Sequence, residues 1–430
     1  MASTTTQFPV VLIHGVFGYG KTRPLWNSWS PYWPETALRT LNNNHVIVDV
    51  GALSSDHDRA CEAFYQLYGG RVDYGEQHSH DAGHNRYGAI FEEAAHPDWS
   101  ASNPVHLVGH SFGATTALEL YQLLCKDFFG VGSDHRWVVS LVSIAGPLTG
   151  TTLTHLFGLH EMRMVPYSLG HFIGAALGVW FKLHSDWPVL RRFFDFRMPQ
   201  WECVTSFREL LSAHGRINSS MDLAVFDIIP HERMRRNARL RHMDKLFLVS
   251  VATSNHVEIP KTELGHSVMC AGLALGTAVA FFSGFLALAT AMTMATLLML
   301  HGLRRRVGAL DYAVIPSLYA LLLIMRRHVR GLHMIFDGKN LRYLVGLLAS
   351  EDNLDSDDST FEEHEGEINP MNPVNASKLR RGKWYVHRVR KNHMAGTHFD
   401  SDSPALFRRL FELMSGHFEA AETLHTAAGA

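Results

Sequence analysis

A chain of 430 residues, 46% apolar and 19% charged, can bury a large core as one catalytic domain with an insertion or as two domains. Its formal net charge of −2, without a basic stripe interleaved with aromatics, argues against a nucleic-acid binder. Cys61, Cys125, Cys203 and Cys270 are far apart and lack CxxC spacing, which argues against a disulfide framework and fits a reducing compartment. Residues 1–8 are short and polar, without the basic and apolar regions of a signal peptide, so secretion by the usual signal is not expected.

The first apolar run, Val10–Ile13, predicts a buried strand that ends in the glycine-rich loop His14-Gly15-Val16-Phe17-Gly18-Tyr19-Gly20. Residues 45–51 and 105–108 predict two more buried strands. Leu118, Leu120, Leu123 and Leu124 then give residues 114–128 helical spacing. Residues 137–144 and 246–251 predict further strands. Strands alternating with helices imply an α/β fold, a mostly parallel sheet with helices on both faces. Residues 156–201 are rich in Phe, Trp, Met and Leu without a strand signal, and read as a helical lid or as extra buried helices. Residues 351–367 are acidic and read as a surface loop.

Gly109-His110-Ser111-Phe112-Gly113 matches G-x-S-x-G. The pentapeptide alone is weak evidence, but here it follows an apolar strand and opens a helix. That turn strains the serine backbone and pushes its hydroxyl out at the top of a sheet, which marks Ser111 as a nucleophile. Developing oxyanion charge needs two backbone N–H donors. Phe112, after the nucleophile, and Val16, in the loop after the first strand, are the candidates.

The run Leu53-Ser54-Ser55-Asp56-His57-Asp58-Arg59-Ala60-Cys61-Glu62-Ala63 continues into Gln66-Leu67-Tyr68-Gly69-Gly70, Val72-Asp73-Tyr74-Gly75 and residues 78–84. It resembles the thermoalkalophilic bacterial lipases, which contain zinc, and their plant lipase-like relatives. The resemblance covers roughly residues 8–255 and 360–415. It implies an α/β-hydrolase fold with a helical lid, hydrolysis of triacylglycerol or related esters, and a structural zinc held by Asp58, His78, His84 and Asp222. From the residues themselves, a His-x5-His pair with an upstream aspartate is a plausible N/O zinc set, set against solvated loop histidines in a chain with 28 of them. The same resemblance points to His393, after Trp384-Tyr385, as catalytic base, with Asn392 where the family has Asp. It points to Glu365, in Phe361-Glu362-Glu363-His364-Glu365-Gly366, as the acid where the family has Asp. Some members bind calcium near that histidine. Asp400 fits one ligand position, but Ala395 stands where a glutamate ligand belongs, so calcium stays open.

Residues 267–300 carry no charge, and residues 309–325 carry only Asp311. At ~1.5 Å per residue the first stretch spans about 50 Å as a helix. A hydrocarbon core is roughly 30 Å thick, so one upright helix is too long; a re-entrant hairpin broken at Ser283-Gly284, a tilted crossing with a return, or a buried hairpin are the alternatives. If Ser111 and His393 share a site, full crossings must be even in number.

These readings divide the chain into a hydrolase core at 1–255, with the lid at 156–201, an apolar, membrane-associated helical insertion at 262–332, and a C-terminal part of the core at 360–430. The expected protein is a serine ester hydrolase on an intracellular membrane, its catalytic domain facing the cytosol, with acyl-ester substrates and membrane lipids as partners. The alternative is a catalytically impaired α/β-hydrolase-fold protein that binds lipid or acts as a scaffold.

Overall fold

The computed structural model describes residues 5–21, 31–151, 154, 158–160, 163–164, 169–192, 195–203, 216–253, 368–389, 391 and 393–422. Their largest element is a six-stranded sheet built from β1 (Val10–Ile13), β2 (His45–Ile47), β5 (Val105–His110), β6 (Val138–Ile144), β9 (Phe247–Thr253) and β10 (Trp384–Val389). Its spatial order is β10-β9-β6-β5-β1-β2, and every neighbouring pair is parallel. A parallel sheet is covered on both faces, so its central strands are apolar throughout rather than alternating. β1, β5 and β6 are accordingly buried at every position.

Alternate residues of each strand point to opposite faces and form two cores. Val11, Ile13, Leu107 and Leu141 pack with the helices α2 (Asp56–Tyr68) and α4 (Phe112–Cys125). Val10, Leu12, Val108 and Val142 pack with α1 (Glu35–Leu41) and a C-terminal helix, Ser403–Leu413. Helices thus lie on both faces, as the alternating pattern predicts. β2 stops at Ile47, short of the expected 51. Beyond it, the N–H of Val50 turns to His14 Nε2 and that of Gly51 to Glu62 Oε2.

Three further features lie outside the main sheet. β3 (Gly70–Asp73) and β4 (Tyr87–Phe91) form an antiparallel hairpin that encloses α3 (Glu76–Ala82). After β6, β7 (Leu159–His160) and β8 (Arg163–Met164) make a short antiparallel ribbon ahead of the helix Leu169–Asp186. That helix has a core of its own, where Leu177 and Phe181 meet Met198, Trp201, Ile217 and Phe226.

The chain divides into two compact units. The first holds 1–253, 350–389 and 395–430; the second holds 254–349 and 390–394. The apolar stretch at 267–325 lies outside the described residues. Among those described, no helix is long and apolar enough to cross a membrane.

The order of the strands fixes where a site can form. The chain moves outward from β1 to β2, then returns to place β5 on the other side of β1. In open α/β sheets, ligands bind beyond the carboxyl ends of the strands at such a reversal. The loop after β1 and the turn after β5 both open there.

Candidate active site and metal cluster

Between His110, the last residue of β5, and Phe112, the first of α4, Ser111 has φ 55° and ψ −131°. A non-glycine residue so placed costs on the order of 1–3 kcal/mol and persists only where its surroundings impose it. Here the Ser111 N–H donates to Ile144 O at 2.8 Å, which pins the turn to β6. The glycines of the motif allow the close approach. A Cβ on Gly113 would lie 2.1 Å from the Ile13 carbonyl oxygen, and one on Gly109 2.3 Å from the Gly113 carbonyl carbon.

The loop after β1 lies directly against the serine. A Cβ on Gly15 would fall 2.7 Å from Ser111 Cβ and 3.1 Å from its Oγ. The carbonyl of Gly15 accepts from the Gly18 N–H at 3.0 Å and from His14 Nδ1 at 2.9 Å. Because a carbonyl only accepts, His14 carries its proton on Nδ1, leaving Nε2 to accept from the Val50 N–H at 3.3 Å. Burial and then Arg59 hold the His14 pKa well below the usual range, so the ring stays neutral. Phe17, with φ 56°, donates its N–H to Ala52 O at 3.0 Å. The N–H of Phe112, in the first helical turn, has no intrahelical acceptor.

A second constellation lies on α2 and the α3 segment. Ser55 caps α2 by accepting from the Asp58 N–H, which places Asp58 in the first helical turn with its carboxylate inward. His78 comes from α3, His84 from just after it, and Asp222 from the loop behind Met221, itself at φ 56°. One ligand atom from each of Asp58, His78, His84 and Asp222 lies within 4.8 Å of the others. Among the described residues this is the one His, Cys, Asp and Glu group placed for a metal ion. His78 Nε2 lies 3.0 Å from Asp58 Oδ1 and 3.3 Å from Asp222 Oδ1; His84 Nε2 lies 3.5 Å and 3.1 Å from the second oxygens. His84 Nδ1 bonds to Asn85 O at 2.8 Å, which leaves Nε2 as an electron-pair donor. His84 Nε2 and Asp222 Oδ2 are buried yet lack a hydrogen bond of good geometry. Burial disfavours the charged imidazoles, but Asp222 and Asp58 outweigh it and raise both to about 10. Two carboxylates thus concentrate negative charge on two nitrogen donors, and the residues fit a divalent cation.

Residues 6–187 match the family model described as lipase-like, C-terminal domain. Lipase 2 of Staphylococcus aureus (strain MRSA252) is 32% identical over 191 residues, 39% of this chain and 27% of that protein. The lipase of Staphylococcus hyicus is 27% identical over 297 residues, 62% of this chain and 43% of that protein. This chain resembles the bacterial lipases. It spans less than half the length of these curated relatives. The crystal structure of the Staphylococcus hyicus lipase matches with a TM-score of 0.59 at 19% identity, covering 97% of each chain. The structure of EstA from Clostridium botulinum matches with a TM-score of 0.58 at 22% identity, covering 95% of this chain and 87% of that one. The fold is an α/β-hydrolase fold.

Of the remaining candidates, His393 belongs to the second unit, and its desolvation lowers the imidazole pKa to about 4. Glu365 lies outside the described residues. Asp400, the residue considered for calcium, accepts from the Asp402 N–H at 3.2 Å and the Ser403 hydroxyl at 3.4 Å, while Ala395 is buried.

Sequence reasoning missed Arg59 and Tyr32. Arg59 is fully buried, and its guanidinium donates to the carbonyls of His14 and Gly51 and to Thr116 Oγ1. Tyr32 Oη accepts from the Gly15 N–H at 3.0 Å and lies 2.5 Å from His110 Nδ1. Neither residue has a local signature. Arg59 sits within the family-like run, but only the fold reveals that its charge turns inward.

Proposed function

We propose that this chain is a serine ester hydrolase of the lipase type that cleaves acyl esters of lipids. The observation that carries this reading is the strained Ser111 turn facing the β1 loop across van der Waals contact. Ser111 Oγ attacks the ester carbonyl carbon as its proton passes to the His393 imidazole. The N–H groups of Val16 and Phe112 stabilise the oxyanion. The alcohol leaves with that proton, and water, deprotonated by His393, hydrolyses the acyl-enzyme. Glu365 orients the imidazole and stabilises its charged form. A fluorophosphonate probe should label Ser111 quickly, read as a mass increase on the peptide that contains it. A folded protein that resists the probe would favour the lipid-binding or scaffold reading.

Glu365→Gln should leave the fold intact and lower turnover by roughly 10³ to 10⁴, because the imidazole loses its orienting carboxylate. Glu363→Gln should be nearly silent in the same ester assay. The reverse ranking would move the acid by two residues.

The donor set of Asp58, His78, His84 and Asp222 supports zinc. Calcium takes oxygen ligands, whereas imidazole suits zinc. Four protein ligands close the site, so the ion would brace α2, the α3 segment and the 222 loop and take no part in ester chemistry.

Residues 267–325 would hold the enzyme on an intracellular membrane, with Arg304, Arg305, Arg306, Arg326 and Arg327 near anionic head groups. Residues 156–201 would form the lid. Replacing 267–325 with a short Gly/Ser linker should keep cleavage of small water-soluble esters and lose activity on bilayer lipid. Full-length protein released by an alkaline carbonate wash as a monodisperse, active species would overturn the membrane reading.

A further inference from the structure

We infer that Arg59 is a positioning residue that sets both oxyanion donors, Val16 N–H and Phe112 N–H, from one buried guanidinium. The inference rests on the reading of Ser111 as nucleophile.

Two consecutive peptide planes lead from β1 to the Val16 N–H. The plane joining His14 to Gly15 is gripped at both ends: its carbonyl accepts from Arg59 Nη2, and its N–H donates to Tyr32 Oη. That grip fixes the orientation from which the next plane departs. The next plane joins Gly15 to Val16, and its carbonyl is occupied by the Gly18 N–H and His14 Nδ1. In a trans peptide the N–H points opposite the carbonyl. The Val16 N–H is therefore turned away from those donors in a direction set by the pair of planes.

The same guanidinium reaches the first turn of α4, the helix whose first residue carries the other donor, through a Thr116 hydroxyl that also lies 3.0 Å from Asp56 Oδ1. Arg59 Nε donates to Thr116 Oγ1 at 3.0 Å, and Thr116 Oγ1 lies 3.1 Å from the Phe112 carbonyl in the first turn of α4. The Arg59 Cζ also sits 5.1 Å from the centre of the Phe112 ring. A third arm, Nη1, donates to Gly51 O at 2.8 Å, so the fork spans the loop after β1, the segment after β2 and the start of α4. Planar geometry with several fixed donors is what arginine supplies and lysine does not.

Preorganised donors act on the transition state more than on the bound ester. Arg59→Lys, which keeps a buried cation, and Arg59→Met should therefore lower kcat by about 10² with KM nearly unchanged. Affinity for a tetrahedral boronate should fall in proportion to kcat. Activity is measured on the full chain with a short ester, per site titrated with fluorophosphonate, so a loss of folded protein does not count. If Arg59 only stabilises the fold, melting temperature and titratable fraction drop while kcat per site and boronate affinity stay at wild-type values. That outcome in Arg59→Lys, the milder variant, overturns the inference. Ser111→Ala in the same series separates the two failures: retained turnover there removes the nucleophile and the Arg59 role with it. A dead Ser111→Ala beside wild-type Arg59 variants removes the Arg59 role alone.

Discussion

Ser111→Ala is expected to remove nearly all ester turnover, by on the order of 10⁶, while the thermal midpoint moves by only a few degrees. The two halves of that result have different causes. Turnover fails because the Oγ that forms the acyl-enzyme is gone, and residues acting as a unit lose most of their effect when any one is removed. His393→Ala should cost about as much for the same reason. Stability changes little because alanine meets the same steric conditions at φ 55° as serine, so the strain of the turn is neither added nor relieved. The N–H to Ile144 O bond that pins the turn is a backbone contact and survives. Initial rates on a soluble short-chain ester, with a melting curve on the same preparation, test both halves. Substantial activity in a folded Ser111→Ala protein would mean that the nucleophile lies elsewhere.

The parts of this fold that were legible in the sequence are those whose burial is continuous. β1, β5, β6 and β9 read as apolar runs because both faces of a central parallel strand are covered. β10 gave no such signal. Among the described residues it is an edge strand, and its Trp384-Tyr385-Val386-His387-Arg388-Val389 mixes charge with apolar residues, as edges that must not pair with other chains do. The ribbon of β7 and β8 has two residues per strand, too few for any period to show. The Ser111 turn was legible because close packing of strand on helix demands glycine at fixed offsets, which leaves a pattern in the chain. Arg59 and Tyr32 were not legible. What makes them matter is the His14–Gly15 peptide that they both grip, in the loop after β1, away from each of them in sequence. The candidate metal site falls between these cases. Asp58, His78 and His84 lie within one readable segment, whereas Asp222 is more than 130 positions further along the chain and meets them only in the fold.

Removing the metal is expected to weaken the fold before it affects the chemistry. The untagged protein should carry about one zinc per chain, and a chelator should lower the unfolding midpoint by on the order of 5 °C, about 3 kcal/mol for a domain of this size. The reason lies in what the four side chains become without a cation. Asp58 is wholly buried and Asp222 nearly so, and both must be neutralised where they stand. Asp58 is held by hydrogen bonds with Gln200 Nε2 at 2.7 Å and His78 Nε2 at 3.0 Å, away from water. His78 lies against His57 with 3.9 Å between ring centres, and His84 packs against Tyr74 and Trp201. The rings are therefore fixed in position, and a divalent ion replaces protons on groups already aimed at one point. His84→Ala should lower the midpoint about as far as chelation, and chelation of that variant should add little. At temperatures below both midpoints, kcat on the soluble ester should match wild type, because the cluster is built from α2, the α3 segment and the 222 loop rather than from the Ser111 turn. Elemental analysis separates zinc from calcium directly. A preparation that contains neither metal, together with a His84→Ala variant as stable as wild type, would show that these four residues form only a buried ion-pair network.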